Sequence, residues 1–339
     1  MQDDTFALMQ RLAPDLAQEI ERRALVLERI GALQPVGRRQ LAARLNMPER
    51  EVRTVAMLLK EHGLVSLDAS GMSLTPEAAE ILPMAQLFSR DLRSLTKLEM
   101  QLSQLLGVDK VCVVPGDADI DEHVIGEVGR NAAIRLRSFL HSGSTLAVTG
   151  GSTMREVAHA IPHSAPMNVM VVPARGGVSG ALETQANTVA SELARNLGGH
   201  HKLMHLPDLL DEQALVELRK LPEIDETLTL LERADVVLHG IGRADEMARK
   251  RQLPQAMQME VLRKGAVAEA YGCYLNSQGK LVYAASVVAH RLGVLKPQCA
   301  LIAVAAGTRK ADAIAAAMKT RRHAMLVTDE GAAKAILGM

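Results

Sequence analysis

The chain has 339 residues, 48% of them hydrophobic, and its 39 Lys and Arg are matched by 39 Asp and Glu. That length calls for two or three domains with a sizeable core, and the neutral balance excludes a globally basic coat for nucleic acid. Aromatics make up only 2% and Trp is absent, so the core must be built from Ala, Val, Leu, Ile and Met, as suits helices packed on a parallel sheet.

Cys112, Cys273 and Cys299 lie in apolar runs without metal-like spacing and read as buried thiols, with no metal and no cofactor implied. No apolar run approaches the ~20 residues that span a bilayer, and no signal peptide leads the chain. The expected location is therefore cytoplasmic, with no membrane partner.

In chain order, Leu12 to Ile30 carries an amphipathic helical pattern through Leu16, Ile20, Ala24 and Leu27. A short helix over Arg38–Leu45 closes at Asn46-Met47. Pro48 then takes a first-turn position, where its missing N–H costs nothing. A second helix runs to His62 and stops at Gly63. Leu64–Leu67 and Met72–Leu74, joined at Asp68-Ala69-Ser70-Gly71, form a two-stranded wing. Thr75-Pro76-Glu77 starts a further helix with a capping hydroxyl, a proline and an acid. Pro83 is a kink or break in it. Leu95, Leu98, Leu102 and Leu105 follow 3-4-3 spacing, which fits a dimer seam and an ordinary core stripe equally.

After Gly107 strands alternate with helices. Strands are predicted at Val111–Val114, Thr145–Val148, Val169–Val172, Leu203–Leu206, Val236–Leu238, Leu301–Val304 and Met325–Val327. Helices include Ile120–His141, Thr188–Leu197 and Ala311–Thr320. This pattern predicts an α/β domain with a mostly parallel sheet, whose ligands would bind at the carboxyl ends of its strands. The domain division is 1–88, a winged helix-turn-helix with the start of a linker helix, and 89–339.

The head holds its own charge. From Arg29 to Lys60 seven cations face two acids, a local surplus of five. Helical spacing buries Val52, Val55, Ala56 and Leu59 and leaves Arg50, Arg53 and Thr54 on one outward face. In a helix-turn-helix that face meets base edges, while Arg38, Arg39 and the wing would hold phosphates. Operator DNA is the implied partner.

Thr149-Gly150-Gly151-Ser152-Thr153 ends an apolar strand and opens a helix. Two glycines let backbone approach an anion, and the helix start offers unpaired N–H groups with the Ser152 and Thr153 hydroxyls beside them. The lysine of a Walker A loop is missing, and Gly240-Ile241-Gly242 lacks the third glycine of a dinucleotide fingerprint. Similar chemistry recurs at other strand ends. Arg175-Gly176-Gly177 follows one strand with Gln185 beyond, Arg249, Lys250 and Arg251 follow another, and Gly307-Thr308-Arg309-Lys310 follows a third. Glycines with cations at several strand ends suit a ligand carrying more than one phosphate. Glu269 reads equally as an acceptor for sugar hydroxyls and as a surface carboxylate. His200, His201 and His205 read as solvated loop residues, and Met247, Met257 and Met259 as core.

The winged head, Thr-Gly-Gly-Ser-Thr, Pro-Ala-Arg-Gly-Gly, Gly-Ile-Gly-Arg-Ala-Asp and Ala-Gly-Thr-Arg-Lys, in this order from about Leu8 to Leu337, together resemble the SorC family of bacterial sugar-responsive regulators. The resemblance implies a Rossmann-like effector domain similar to sugar-phosphate isomerases and deaminases but serving as a sensor. It implies fructose 1,6-bisphosphate as inducer, related sugar phosphates as weaker ligands, and a repressor released from its operator. Carried over, Thr149, Gly150, Gly151 and Ser152 would hold one phosphate. Arg175, Gln185, Lys250 and Arg251 would reach the sugar and phosphates, Glu269 would meet hydroxyls, and Lys310 would pair with a phosphate. Position 250 is Lys where an arginine would also serve, which leaves that contact's geometry open. A homo-oligomer, dimers pairing into a tetramer on DNA, is expected.

The alternative is a sugar-phosphate isomerase or deaminase with an accessory helical domain. Such chemistry needs a base beside the substrate carbon. Where related deaminases would carry Gly-His after Gly-Ile-Gly, Arg243-Ala244-Asp245 stands instead, and the strand position of His239 turns it elsewhere. A sensor without catalytic residues is the expected outcome.

Overall fold

The computed structural model describes residues 12–45, 47–92, 94–161, 166–176, 181–207, 210, 212–284 and 295–339; Asn46 and Gly177 of the motifs above, and the stretch before Leu12, lie outside them. The chain divides into two compact units, Met1–Lys97 and Leu98–Met339.

In the first unit, α1 (Pro14–Leu33), α2 (Arg38–Leu45) and α3 (Glu49–Glu61) precede a wing of β1 (Val65–Asp68) and β2 (Gly71–Leu74), and α4 (Pro76–Leu92) follows. Val26, Ile30, Leu41, Val52, Val55, Leu59 and Met72 form one buried cluster. The wing turn is closed by Asp68, whose Oδ1 accepts from the Ser70 and Gly71 backbone N–H groups at 2.8 and 3.1 Å. Val36 bridges to Met72 by two backbone hydrogen bonds, which adds a third short edge to the wing. Pro48 is the N-cap of α3 rather than a first-turn residue. Gly63, at φ +74°, ends that helix. Thr75 caps α4, its Oγ1 accepting from the Ala78 N–H at 3.2 Å.

The helix does not break at Pro83; α4 continues through it to Leu92. In the turn before the proline Ala78 is buried and Leu82 packs on the head core, which anchors the helix where it loses a hydrogen bond. The stripe on α5 (Leu95–Leu106) is mixed: Leu95 and Leu102 are fully buried, whereas Leu105 is 59% exposed.

The second unit is built on seven strands: β3 (Lys110–Val114), β4 (Thr145–Val148), β5 (Met170–Pro173), β6 (His200–His201), β7 (Val236–Gly240), β12 (Ala300–Val304) and β13 (Met325–Asp329). Their order is β3-β13-β12-β7-β4-β5-β6, and every neighbouring pair is parallel. Alternation sends Leu146, Val148, Val171 and Leu238 to one face. There they pack with α6 (His123–Leu136), α7 (Ser152–Ala160) and α8 (Ala186–Leu197). Ala147, Val172, Val237 and Leu301 go to the other face, against α9 (Glu212–Leu218) and α10 (Pro222–Glu232). From β4 the chain winds outward to β5 and β6, then returns to β7 and winds the opposite way. The β4/β7 boundary is thus the topological switch point, where such sheets open a crevice at their carboxyl ends.

A second sheet was not expected. It joins β8 (Gly242–Arg243), β9 (Ala266–Ala270), β10 (Cys273–Asn276) and β11 (Leu281–Ala284), all antiparallel. It packs with α11 (Ala244–Lys250) and α12 (Gln255–Arg263) around Ala248, Val261 and Tyr274. The last helices are α13 (Ala311–Met318) and α14 (Glu330–Leu337).

The strand expected at Leu203–Leu206 is absent. Pairing to β5 is made by His200 and His201. The Met204 backbone is instead satisfied by Asn187, which accepts its N–H at 2.9 Å and donates to its carbonyl at 3.1 Å. The helix expected from Ile120 begins at His123, because Asp117 and Asp121 fold the preceding residues into turns. Met259 is 61% exposed on α12, so it is not core.

Candidate functional site

In the head, Arg38, Arg39, Arg50, Arg53 and Thr54 are all exposed. Val52, Val55, Ala56 and Leu59 fill the opposite face of α3, which leaves Arg50 and Arg53 outward at its first turns. The nearby acids are paired, Glu51 with Arg22 at 3.1 Å and Glu49 with Arg39 at 3.6 Å. The Thr54 hydroxyl is turned back to the Arg50 carbonyl at 3.0 Å.

In the second unit, a cavity of about 330 Å³ opens at the β4/β7 switch point. It is lined by Thr149, Gly150, Gly151, Ser152, Thr153, Arg175, Lys250, Arg251, Glu269 and Lys310. Ten of the eleven effector-site residues singled out in the sequence thus share one wall. Gln185 is not among the lining residues; its neighbours Thr184 and Ala186 are, and Gln185 itself is the N-cap of α8. Arg249 also stands apart, paired with Asp245 at 3.4 Å.

The glycine turn has two separate physical reasons. A Cβ on Gly150 would lie 2.4 Å from the Thr184 carbonyl oxygen and 2.9 Å from the Ala186 nitrogen, so only glycine fits between them. Gly151 is the N-cap of α7 at φ +124°, a conformation open to glycine alone, and no side chain caps the helix there. The Thr149 Oγ1 accepts the Gly240 N–H at 3.2 Å, which ties the loops after β4 and β7 together. The free N–H groups at the start of α7 therefore face the cavity as an anion cradle.

Four cationic side chains line the cavity against two carboxylates, Glu246 and Glu269. Glu269 is buried, not a surface carboxylate: it is 4% exposed, with Arg175 at 2.6 Å, Arg251 at 3.4 Å and the Gly272 N–H at 2.6 Å. Burial alone would raise its pKa, but Arg251 and Arg175 outweigh burial and hold it below the ordinary range. Lys310 ends a 3-10 turn after β12. Burial and the neighbouring Lys250 lower its pKa. Its loop is pinned by Asp117, which accepts from the Thr308 hydroxyl at 2.6 Å, and by Asp119, which accepts from the Arg309 N–H at 2.7 Å. Asp329, fully buried, accepts the N–H groups of Ala118, Gly307 and Ala332.

Sequence reasoning missed Glu246, Met247, Thr184 and Tyr271, which also line the cavity. The Glu246 and Met247 positions followed a recognised glycine loop and were reachable from it; Tyr271 belongs to the unforeseen sheet. His239 is not among the lining residues, and Arg243 is locked to Asp245 by two contacts of 3.0 Å. Among the described residues no group of His, Cys, Asp and Glu is arranged to hold a metal ion, and no helix is long and apolar enough to cross a membrane.

Residues 90–338 match the family model described as "Putative sugar-binding domain", and residues 20–88 match the CggR N-terminal DNA binding domain. The chain is 37% identical over 332 residues to the central glycolytic genes regulator of Priestia megaterium, covering 97% of both chains. It is 36% identical to that of Bacillus subtilis, covering 96% of each. A crystal structure of a "putative SorC family transcriptional regulator" from Enterococcus faecalis superposes with a TM-score of 0.64 at 34% identity, over 71% of this chain and 99% of that one. The full-length sorbitol operon regulator SorC of Klebsiella pneumoniae shares the fold at 20% identity, with a TM-score of 0.65 over 93% of this chain and 98% of its own. A DNA-binding head and a sugar-binding domain in one chain, both matched by named regulators, make it a transcriptional regulator rather than an enzyme, and the chain belongs to the SorC family of sugar-responsive transcriptional regulators.

Proposed function

We propose that this protein represses a central glycolytic operon and is released from its operator when fructose 1,6-bisphosphate fills the cavity at the β4/β7 switch point. The observation that carries the reading is the cavity itself. An uncapped helix N-terminus and the glycine turn stand with Arg175, Lys250, Arg251 and Lys310 around one space. A helix start suits one phosphate, and a surplus of cations suits a second. The relatives' name, central glycolytic genes regulator, supports the glycolytic target. In this reading Thr149, Gly150, Gly151, Ser152 and Thr153 hold one phosphate, Lys310, Lys250 and Arg251 meet the other, and Arg175 and Glu269 serve the sugar. Residues 1–88 read DNA through Arg50, Arg53 and Thr54, with Arg38 and Arg39 on phosphates, and residues 89–339 sense the effector and assemble the oligomer, dimers pairing on DNA in the cytoplasm.

Effector occupancy lowers operator affinity by a coupling of ~1–3 kcal/mol. A gel-shift titration with and without the bisphosphate tests it, with fructose 6-phosphate and glucose 6-phosphate as comparators. Release at the lowest concentration by the bisphosphate is expected. Tighter operator binding on its addition, or equal potency of the monophosphates, would overturn the proposal.

A further inference from the structure

Three side chains beside the cavity form a cluster that the anion cradle does not use. His239, on β7, points to the sheet face that carries Val237 and Leu301. Tyr271 sits in the turn between β9 and β10, and His323 stands just before β13. The Tyr271 hydroxyl lies 2.6 Å from His239 Nε2 and 3.1 Å from His323 Nε2, and the two Nε2 atoms are 3.2 Å apart. Both imidazoles are wholly buried.

The opposite ring nitrogens face carbonyls, His239 Nδ1 at 3.2 Å from Gly240 O and His323 Nδ1 at 2.7 Å from Arg321 O. A carbonyl only accepts, so these partners assign the proton of each ring to Nδ1 and leave both Nε2 lone pairs facing the tyrosine. Burial favours the neutral rings, lowering His323 to about 4 and His239 well below its ordinary value. The phenol therefore supplies the one proton that two acceptors share, and it is held from both sides.

The backbone at Tyr271 shows why such an anchor matters. Ala270 pairs with Cys273, so Tyr271-Gly272 is a two-residue hairpin loop, with φ of +55° and +85°. Asn-Gly or Gly-Gly is the usual occupant of that geometry, and a bulky aromatic there is strained. The same loop presents the Gly272 N–H to Glu269 Oε1 at 2.6 Å, and that oxygen accepts from Arg175 Nη1, also at 2.6 Å. Hydrogen bonds at both ends of the strained turn, joined through the Tyr271 side chain and its peptide link to Gly272, thus connect the two histidines to the guanidinium on the cavity wall.

We propose that Tyr271 is a positioning residue for the anion site: its hydroxyl, seated between His239 and His323, fixes the β9–β10 turn so that Glu269 holds Arg175 against the cavity. This rests on reading the cavity as a phosphate site. A residue that served only the fold would be better replaced by asparagine, which accepts a positive φ. Tyrosine gives up that ease for reach.

The test compares Tyr271→Phe, which keeps the ring and loses the hydroxyl, with Tyr271→Asn, which suits the turn and cannot reach the histidines. Calorimetric titration of the full-length protein with fructose 1,6-bisphosphate is expected to weaken about tenfold in both, the scale of one lost hydrogen bond. Thermal unfolding without ligand is expected to leave Tyr271→Asn at least as stable as Tyr271→Phe. Wild-type affinity in either variant, or affinity that merely tracks melting temperature across the two, would overturn the proposal. A second arm needs no effector: nitrogen-detected NMR of the arginine guanidinium groups, with the Arg175 signal assigned through Arg175→Lys. The restricted rotation of an ion-paired Arg175 should be lost in both tyrosine variants. If the wild type binds no sugar phosphate, the functional reading falls alone and this arm decides the positioning; an unchanged Arg175 signal in both variants would refute it.

Discussion

Replacing Gly150 by alanine should damage the anion loop by sterics alone. No positive φ is required of Gly150, so alanine is conformationally allowed there. Its Cβ, however, would stand 2.4 Å from the Thr184 carbonyl oxygen, and ordinary contact begins at 3.4 Å, so about 1 Å of movement is required. Backbone opposes backbone at this point, and no flexible side chain can yield. The Gly151 N–H donates to that same Thr184 oxygen at 2.8 Å, so the movement also breaks a hydrogen bond. Overpacking costs about 1–3 kcal/mol and the lost bond about 1 kcal/mol. Together these give roughly 2–4 kcal/mol, or about 4–16 °C in the melting transition of a domain of this size. The N–H groups of α7 move with the loop, so bisphosphate affinity by calorimetry should fall by at least about tenfold. Operator binding without effector should persist. A Gly150→Ala protein that melts and titrates like the wild type would show that the loop yields freely and that the close approach is not what keeps glycine there.

Glu269→Gln leaves the buried Arg175 and partly exposed Arg251 guanidinium groups without their carboxylate, a loss of about 3–5 kcal/mol, and the bisphosphate should then raise its melting temperature more than it raises the wild type's, because the ligand supplies the missing charge. Since Arg251 and Arg175 overcome burial to hold the Glu269 pKa below its ordinary 4.5, its stabilisation is complete above that pH and fades as pH falls further. The stability gap between wild type and Glu269→Gln, read by chemical denaturation, should therefore close on acidification; a constant gap would contradict the ion-pair account. Lys310 has its pKa lowered from 10.5 by burial and Lys250, and a bound phosphate would raise it again. Effector affinity should accordingly decline with alkaline pH before 10.5 is reached, with proton uptake visible as buffer-dependent heat, and Lys310→Arg should lose that decline. In the head, Arg53→Ala should cost about 1–3 kcal/mol of operator affinity and relax the choice of one base pair, measured by anisotropy on operator variants, with effector binding unchanged. A uniform loss across sequences with a shallower salt dependence would make Arg53 a phosphate contact instead.

The head was almost wholly legible because its signals are local. Gly63, the Asp68–Gly71 turn and Thr75-Pro76 each mark a boundary within a few residues, and the structure places helix ends and wing beside them. The parallel sheet was legible for a similar reason: its strands are buried on both faces and read as short apolar runs. Leu203–Leu206 shows the limit of that rule. Met204 and Leu206 are buried, as an apolar run predicts, but Asn187 at the start of the preceding helix takes the hydrogen bonds a neighbouring strand would have taken. The antiparallel sheet escaped notice because Ala266–Ala270 is rich in alanine and its turn carries Tyr271 where asparagine or glycine would have signalled a hairpin. Glu269 was undecidable for the same reason. Its burial depends on Arg175, 94 residues away in sequence, and no spacing rule pairs them.

The same pairing explains why this cavity suits recognition better than chemistry. A general base for sugar-phosphate isomerisation works best with a pKa near the ambient pH, beside the reacting carbon. Glu269 is held in the opposite condition, its charge stabilised by Arg251 and Arg175 and one oxygen already shared between Arg175 and the Gly272 N–H. The imidazole of His239, the ring closest in sequence to the Gly240 loop, is buried with Tyr271 and His323. What remains facing the cavity is a helix N-terminus, glycine backbone and cations, groups that attract an anion, together with Glu246, whose carboxylate lies between Arg243 at 3.8 Å and Arg309 at 3.9 Å. Binding energy that an enzyme would spend on a transition state is then free to shift the loops after β4, β7 and β12. The loops after β4 and β7 are joined by Thr149 with Gly240, and the loop after β12 reaches the one after β7 through Arg309 and Glu246 at 3.9 Å. A ligand that bridges the α7 N-terminus and Lys310 therefore moves them as one unit.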